Sequence, residues 1–387
     1  MEAKSELGAS IGSKSPPKLL KSLFIAVLAG LVINALLGLL LDFEEFASTL
    51  ATVRLWEVML PFSLVILVYF IDAIRFKVLF RQFGIRLSFR DSLYSNVIGL
   101  FFSGITPSSA GGQPFQIYHF TKLGLDSTTA TNIVFSRLMV SNLAQVVVIV
   151  LFAGQGLSLL GRSGNAAFIL GIGLFMTLAA SVLLFFVFAR PQVIGRFALA
   201  IEASKLGRLI SRLSKDEHWA EKLSAWSLGL GDSFSHLWAK RLWLVLLDLV
   251  VHVLDQALWA IGLYVPLVVL TGTTVPFGAF LFAFNLCGFV STFIPTPGAS
   301  GSIEASYSLV LGGLTGAPGA ALSAVILWRF GSYYLHLLLG GLVYFFVRTG
   351  TSVYSRGEDG ITRRTTSWRA VRLRAAAKRA AARGRTS

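Results

Sequence analysis

Two arginines stand alone in apolar surroundings, Arg137 in "VFSRLMV" and Arg329 in "ILWRFGS". A charge far from water is expensive and needs a cavity or a partner. The planar fork of a guanidinium suits the phosphate of a lipid headgroup, and the competing use is an ion pair with a carboxylate such as Glu304 or Asp255 that fixes helix packing. Glu304 itself could compensate a cationic headgroup, exchange a proton, lock onto an arginine, or cap a helix start, where exposed N–H groups and the dipole favour a carboxylate. Gly111, Gly112, Gly298 and Gly301 permit tight turns and close approach of backbone N–H groups, which at a helix N-terminus make an anion site. Asp248, His252 and Asp255 recur at i, i+4 and i+7, on one helix face. Embedded groups of that kind suggest a proton relay, or else a polar stripe satisfied by Gln256, His336 or water.

The elements that must position these residues belong to a membrane. The chain has 387 residues, 55% of them hydrophobic and 14% charged, with a mean hydropathy of +0.71, which exceeds the apolar share of an ordinary soluble domain. About 20 apolar residues cross the hydrocarbon core, and such spans fall near 21–41, 55–74, 128–154, 166–189, 242–268 and 320–347. The first is too long for a signal-peptide core and lacks a cleavage pattern, so it reads as a retained helix. Two further apolar stretches, 91–120 and 279–314, are each interrupted by a Pro/Gly/Ser cluster and cannot be continuous helices.

Lys and Arg concentrate in cytoplasmic loops. Arg75, Lys77, Arg81, Arg86 and Arg90 follow the second span, whereas Asp42, Glu44, Glu45 and Glu57 dominate the preceding loop. Both termini are therefore expected inside. The count closes only if 91–120 and 279–314 each enter and leave on one side as re-entrant hairpins. Irregular backbone at that depth must be buried in protein or line a cavity.

The two interruptions match each other. "TPSSAGGQ" from Thr106 parallels "TPGASGSIE" from Thr296, with Gly111 and Gly301 four residues after Pro107 and Pro297, and then Gln113 and Glu304. Asn96 and Gly99 precede the first tip as Asn285 and Gly288 precede the second; Arg137 and Arg329 follow. This ordered series predicts an internal repeat. Loop charge gives its halves opposite orientation, the architecture in which broken helices mark a transporter's substrate site. The expected organisation is an all-α polytopic membrane protein of about six full transmembrane helices plus two re-entrant helical hairpins in inverted repeats. A cytoplasmic segment 1–20 precedes a transmembrane domain 21–349, made of repeat one 55–189, an amphipathic linker 190–241 and repeat two 242–349; a basic tail 350–387 follows.

"GLFFSGITPSSAGGQPFQIYHFTKLGLD", the span bearing Arg137, and "FIPTPGASGSIEASYSLVLGG" resemble the lysylphosphatidylglycerol synthase transmembrane-region, or flippase-like, family across roughly residues 20–349. The resemblance implies a multi-pass cell-membrane protein that moves a phospholipid, aminoacylated lipid or lipid-linked headgroup between leaflets. The alternative it implies is the membrane subunit of a phosphatidylglycerol lysyltransferase-type enzyme, with a separate lipid-modifying partner. The 38 residues after 349 are too few for the soluble aminoacyltransferase domain of the best-known relatives. The first tip departs from the family's commoner Glu and Arg by carrying Gln113 and Gln116, which leaves Glu304 as the only tip carboxylate. The implied headgroup site comprises Arg137, Arg329, Glu304, Gln113, Thr106, Gly111, Gly112, Thr296, Gly298 and Gly301.

No Walker loop, HExxH or Ser-His-Asp order supports an enzyme, and no cofactor motif or metal-ligand spacing is present. The lone Cys287 permits no disulfide. From 350 onward ten basic residues face two acids, a net +8 of the chain's +15. Attraction to the anionic inner leaflet accounts for that excess; nucleic acid is not an expected partner, because no folded recognition unit accompanies the charge.

Overall fold

The computed structural model of the chain describes residues 43–82, 85–123, 125–160, 164–190, 192–202 and 242–346, isolated positions between 203 and 241, and the strand residues 352–357 and 360–365. The expected span 21–41 and most of the tail lie outside the described residues. A short helix, α1 Phe43–Thr52, precedes long helices that form over the extended apolar runs: α2 Leu55–Gln82, α5 Ser127–Leu151, α7 Gly164–Ala189 and α9 Leu242–Thr271. Where Pro and Gly interrupt the run, shorter helices pair instead, α3 Phe89–Ile105 with α4 Gly112–Lys122, and α10 Phe277–Thr292 with α11 Ser302–Thr315. At ~1.5 Å per residue none of these four reaches the ~30 Å hydrocarbon thickness. The remaining elements are α6 Ala153–Leu160, α8 Gln192–Glu202, α12 Pro318–Arg329, α13 Leu335–Phe346 and an antiparallel pair, β1 Ser352–Gly357 with β2 Gly360–Thr365.

Five described segments are long and apolar enough to cross a membrane: Leu55–Arg81, Ser127–Leu151, Ala167–Phe186, Leu242–Thr271 and Pro318–Tyr344. The chain is thus an all-α polytopic protein in its membrane part. On α7, Phe168, Phe175, Val182 and Leu183 are all exposed, as expected of a helix whose solvent is lipid. On α8, Phe197 and Leu199 are exposed while Gly195 and Ala198 are buried, so this part of the linker shows an exposed apolar face. Its other sequence lies largely outside the described residues.

Two expectations change. Helix α2 runs on to Gln82, so Arg75 is not the first charge of a loop; it sits inside the helix with 6% of its surface exposed. The last span is not one regular helix either. Directly after Arg329 the backbone makes a π-helical turn, Phe330–Tyr334, before α13 resumes. Such turns re-aim side chains within a helix and recur at functional sites.

The two interruptions fold alike. After Pro107, Ser108 and Ser109 take φ of 52° and 54°; after Pro297, Gly298 and Ala299 take 56° and 54°. Both tips close with the proline carbonyl accepting from the residue three ahead, Ala110 and Ser300, each at 3.1 Å. The helices flanking them approach through matched small residues. A Cβ on Gly99 would lie 2.6 Å from Gln116 of α4, and one on Gly288 would lie 2.8 Å from the Tyr307 hydroxyl of α11.

Thr106 holds the first tip together. Its hydroxyl donates to the Phe102 carbonyl at 2.7 Å and accepts the Gly111 N–H at 2.8 Å, satisfying a donor at the start of α4 that the helix cannot. Thr106→Val preserves shape and removes both bonds; it should lower stability by about 1–2 kcal/mol, read as a depressed unfolding temperature of the detergent-solubilised protein.

Candidate functional site

The two tips meet. Pro107 and Pro297 pair as an antiparallel bridge, with the Ser108 N–H donating to the Thr296 carbonyl at 3.3 Å and the Gly298 N–H donating to the Thr106 carbonyl at 3.4 Å. Corresponding residues thereby exchange corresponding bonds. Tyr333, on the π-turn, spans the junction: its hydroxyl lies 3.3 Å from the Gly104 carbonyl and 3.4 Å from that of Pro297.

Beneath the junction lies a cavity of about 370 Å³, lined by Ser103 and Ser109 beside the first tip, Asn285, Thr292 and Tyr307 of α10 and α11, and Gln145, Gln256, Trp259, Arg329 and His336 from α5, α9, α12 and α13. Amide and hydroxyl groups alternate there with aromatic faces, a lining able to hold a polar group beside apolar stems. Arg329 is the cation of this cavity. Its Nε donates to Glu304 Oε1 at 2.8 Å, its Nη2 to Ser300 Oγ at 3.1 Å and to the Gly298 carbonyl at 3.4 Å. The guanidinium carbon stands 4.1 Å from the Tyr333 ring centroid.

Glu304 is fully buried. Besides Arg329 it accepts the Gly301 N–H at 2.7 Å from the third position of α11, and so caps a backbone donor at the start of that helix. Of the roles open to this carboxylate, arginine lock and helix cap are thus combined: the pair fastens the second tip to α12. Ion pair and cavity lining also coexist at Arg329, since the fork that grips the tip borders the open space.

Arg137 does not line that cavity. It pairs with Asp72 of α2 and stacks its guanidinium carbon 3.8 Å from the Phe76 ring centroid. Gln113, the counterpart of Glu304, is half-buried on α4 and offers no charge to hold Arg137 at its own tip. Arg137 instead shares a second cavity of about 260 Å³ with Arg75 and Asp248, walled by aliphatic side chains such as Ile71, Val140 and Val251. Several wall residues, including Ile74 and Leu247, are exposed at the apolar surface, so this groove opens sideways.

The polar face of α9 meets Arg75. Arg75 Nε donates to Asp248 at 2.7 Å, and its Nη1 reaches Asp72 at 2.9 Å and His252 Nδ1 at 2.7 Å. Asp255 lies 3.9 Å from the same Nη1. Neither Asp72 nor Arg75 was expected here. Their i,i+3 spacing in "IDAIRF" was the available signal, hidden by ending the span one residue before Arg75. Of the remaining expected site residues, Gly298 lines the tip cavity, while Thr106, Gly111, Gly112, Thr296 and Gly301 shape the tips' backbone. Ser109, Gln145, Trp259 and Tyr333 were missed.

Spanning helices of this number, folded around a polar internal cavity, define a polytopic integral membrane protein. The chain belongs to the family described as the lysylphosphatidylglycerol synthase TM region, which matches residues 26–340. It is also similar to a protein described as a UPF0104 membrane protein from Archaeoglobus fulgidus, 24% identical over 335 residues, covering 82% of this chain and 94% of that protein.

Proposed function

We propose that the chain translocates a lipid headgroup between leaflets of the cell membrane by alternating access, with the tip cavity as the polar path and the acyl chains left in lipid. The reciprocal pairing of corresponding tip residues over a polar cavity carries this reading. Antiparallel exchange of like bonds is what a two-fold relation between halves would produce, and inverted halves with broken helices are how alternating-access transporters are built. The family's name supports a phospholipid, aminoacylated or not, as the cargo. The aliphatic groove beside Arg137 supplies a lateral approach for the phosphate end of such a molecule, and Arg329 supplies a second guanidinium inside. In this reading both termini lie on the cytoplasmic side, where the basic tail would meet anionic lipid.

Purified protein in liposomes containing a leaflet-specific labelled phosphatidylglycerol should speed its translocation at least tenfold over protein-free vesicles. Equality with empty vesicles would discard the proposal and leave a non-transporting membrane subunit. Arg137→Lys with Arg329→Lys keeps both charges but loses the planar fork; it should retain the fold and lose most of the rate. Full activity in that double variant would remove the arginines from the path.

A further inference from the structure

The cluster between α2, α5 and α9 holds more negative than positive charge. Asp72, Asp248 and Asp255 face Arg75 and Arg137, so the carboxylates outnumber the guanidiniums by one. His252 does not redress the balance. Arg75 Nη1 can only donate, so at 2.7 Å the Nδ1 of His252 must accept, and the ring is neutral in this arrangement. Asp72 and Asp248 each have a guanidinium within 3 Å. Asp255 has none at hydrogen-bond distance: its Oδ2 is 3.9 Å from both Arg75 Nη1 and His252 Nδ1, and its Oδ1 has no hydrogen-bond partner among the described residues. The side chain is 4% exposed. From the other packed elements, α12 offers the cation Arg329, which is already bonded to Glu304, and α13 offers His336, packed on Tyr69 and Trp259. Helix α10 carries no ionisable group but Cys287.

An ionised carboxylate in that position would be a buried charge without a compensating bond, which a low-dielectric interior does not tolerate. We propose that Asp255 is the proton-carrying group of this protein, protonated while the cluster is closed to water and releasing its proton when the cluster is hydrated. The proton comes from water and returns to water, and no other bond changes. Asp255 thus differs from a link in a chain along α9: among the described carboxylates of the cluster it is the one whose charge can vary while Asp72, Asp248 and the two arginines remain paired. This inference rests on the proposed translocation only for its coupling role, not for the proton itself.

Infrared spectra of the full chain in nanodiscs at neutral pH should contain a protonated-carboxyl C=O band that vanishes in Asp255→Asn, persists in Asp248→Asn and shifts in Asp255→Glu. Asparagine resembles the protonated acid in shape and charge, so the first variant should fold. Absence of the band in the wild type, or its survival in Asp255→Asn, overturns the assignment. Loss of the band on adding sodium chloride at constant pH would make this a sodium site and overturns it equally. In liposomes, an imposed pH gradient should change the wild-type translocation rate several-fold and leave the Asp255→Asn rate indifferent to the gradient. A wild-type rate that ignores the gradient overturns coupling. If no lipid moves at all but the infrared band behaves as stated, the translocation reading fails while the proton site stands.

Discussion

Arg329→Ala should be strongly destabilising, lowering stability by about 3–5 kcal/mol. The reason is what it leaves behind. Glu304 is wholly buried and accepts only the Arg329 Nε and the Gly301 N–H among its described hydrogen bonds. Without the guanidinium, a carboxylate remains in the protein interior with one backbone donor, and the second tip loses its link to α12 through Ser300 and the Gly298 carbonyl. The measurement is the unfolding temperature of the purified protein, alongside Glu304→Gln and the pair Arg329→Met with Glu304→Gln. The pair should recover at least half of the loss, because removing both charges removes the stranded one. Additive losses would show that the two residues do not act as a unit.

Gly298→Ala should cost about 2–5 kcal/mol by a different route. The position has a φ of 56°, where a side chain costs roughly 1–2 kcal/mol. The added Cβ would lie 2.3 Å from Tyr333 Cε2 and 3.0 Å from the Gly104 carbonyl, adding an overpacking cost of about 1–3 kcal/mol. Tyr333 cannot retreat without leaving the hydroxyl contacts that span the tips. Ser108 holds the corresponding turn position at a φ of 52°, and there Ser108→Gly should change stability by no more than about 1 kcal/mol, since relief of the left-handed cost opposes the added chain entropy. Thermal unfolding of the two variants side by side tests the matched geometry of the tips. A mild effect at Gly298 would mean that the junction is loosely packed.

The tips were the most legible feature of the chain. Pro, Gly and Ser in an apolar run report a break wherever they occur, because they act on the local backbone, and the break after Ile105 and the break after Thr292 both fall where composition placed them. Glu304 as a partner of Arg329 was legible only as one alternative beside Asp255 and a lipid phosphate, since an embedded cation needs an anion but the sequence does not say which. The pairing of Arg137 was not legible. Its partner Asp72 is 65 residues away, and the choice between Asp72, Asp255 and a ligand depends on how α2, α5 and α9 are rotated against one another. Hydropathy also misjudged Arg75, because a charge near the end of an apolar run is read as the end of the span when its partners are invisible.

By itself, then, the sequence determined that the chain is helical, embedded and broken at two matching points, because apolar length, breaker residues and spacing are properties of contiguous backbone. Only the tertiary structure decided that the broken points bond to each other, that Arg329 and Arg137 serve separate cavities, and that Asp255 is the carboxylate left over. Those outcomes follow from which faces of distant helices come into contact, and a charge acquires its role only from the groups that this contact places within a few ångströms.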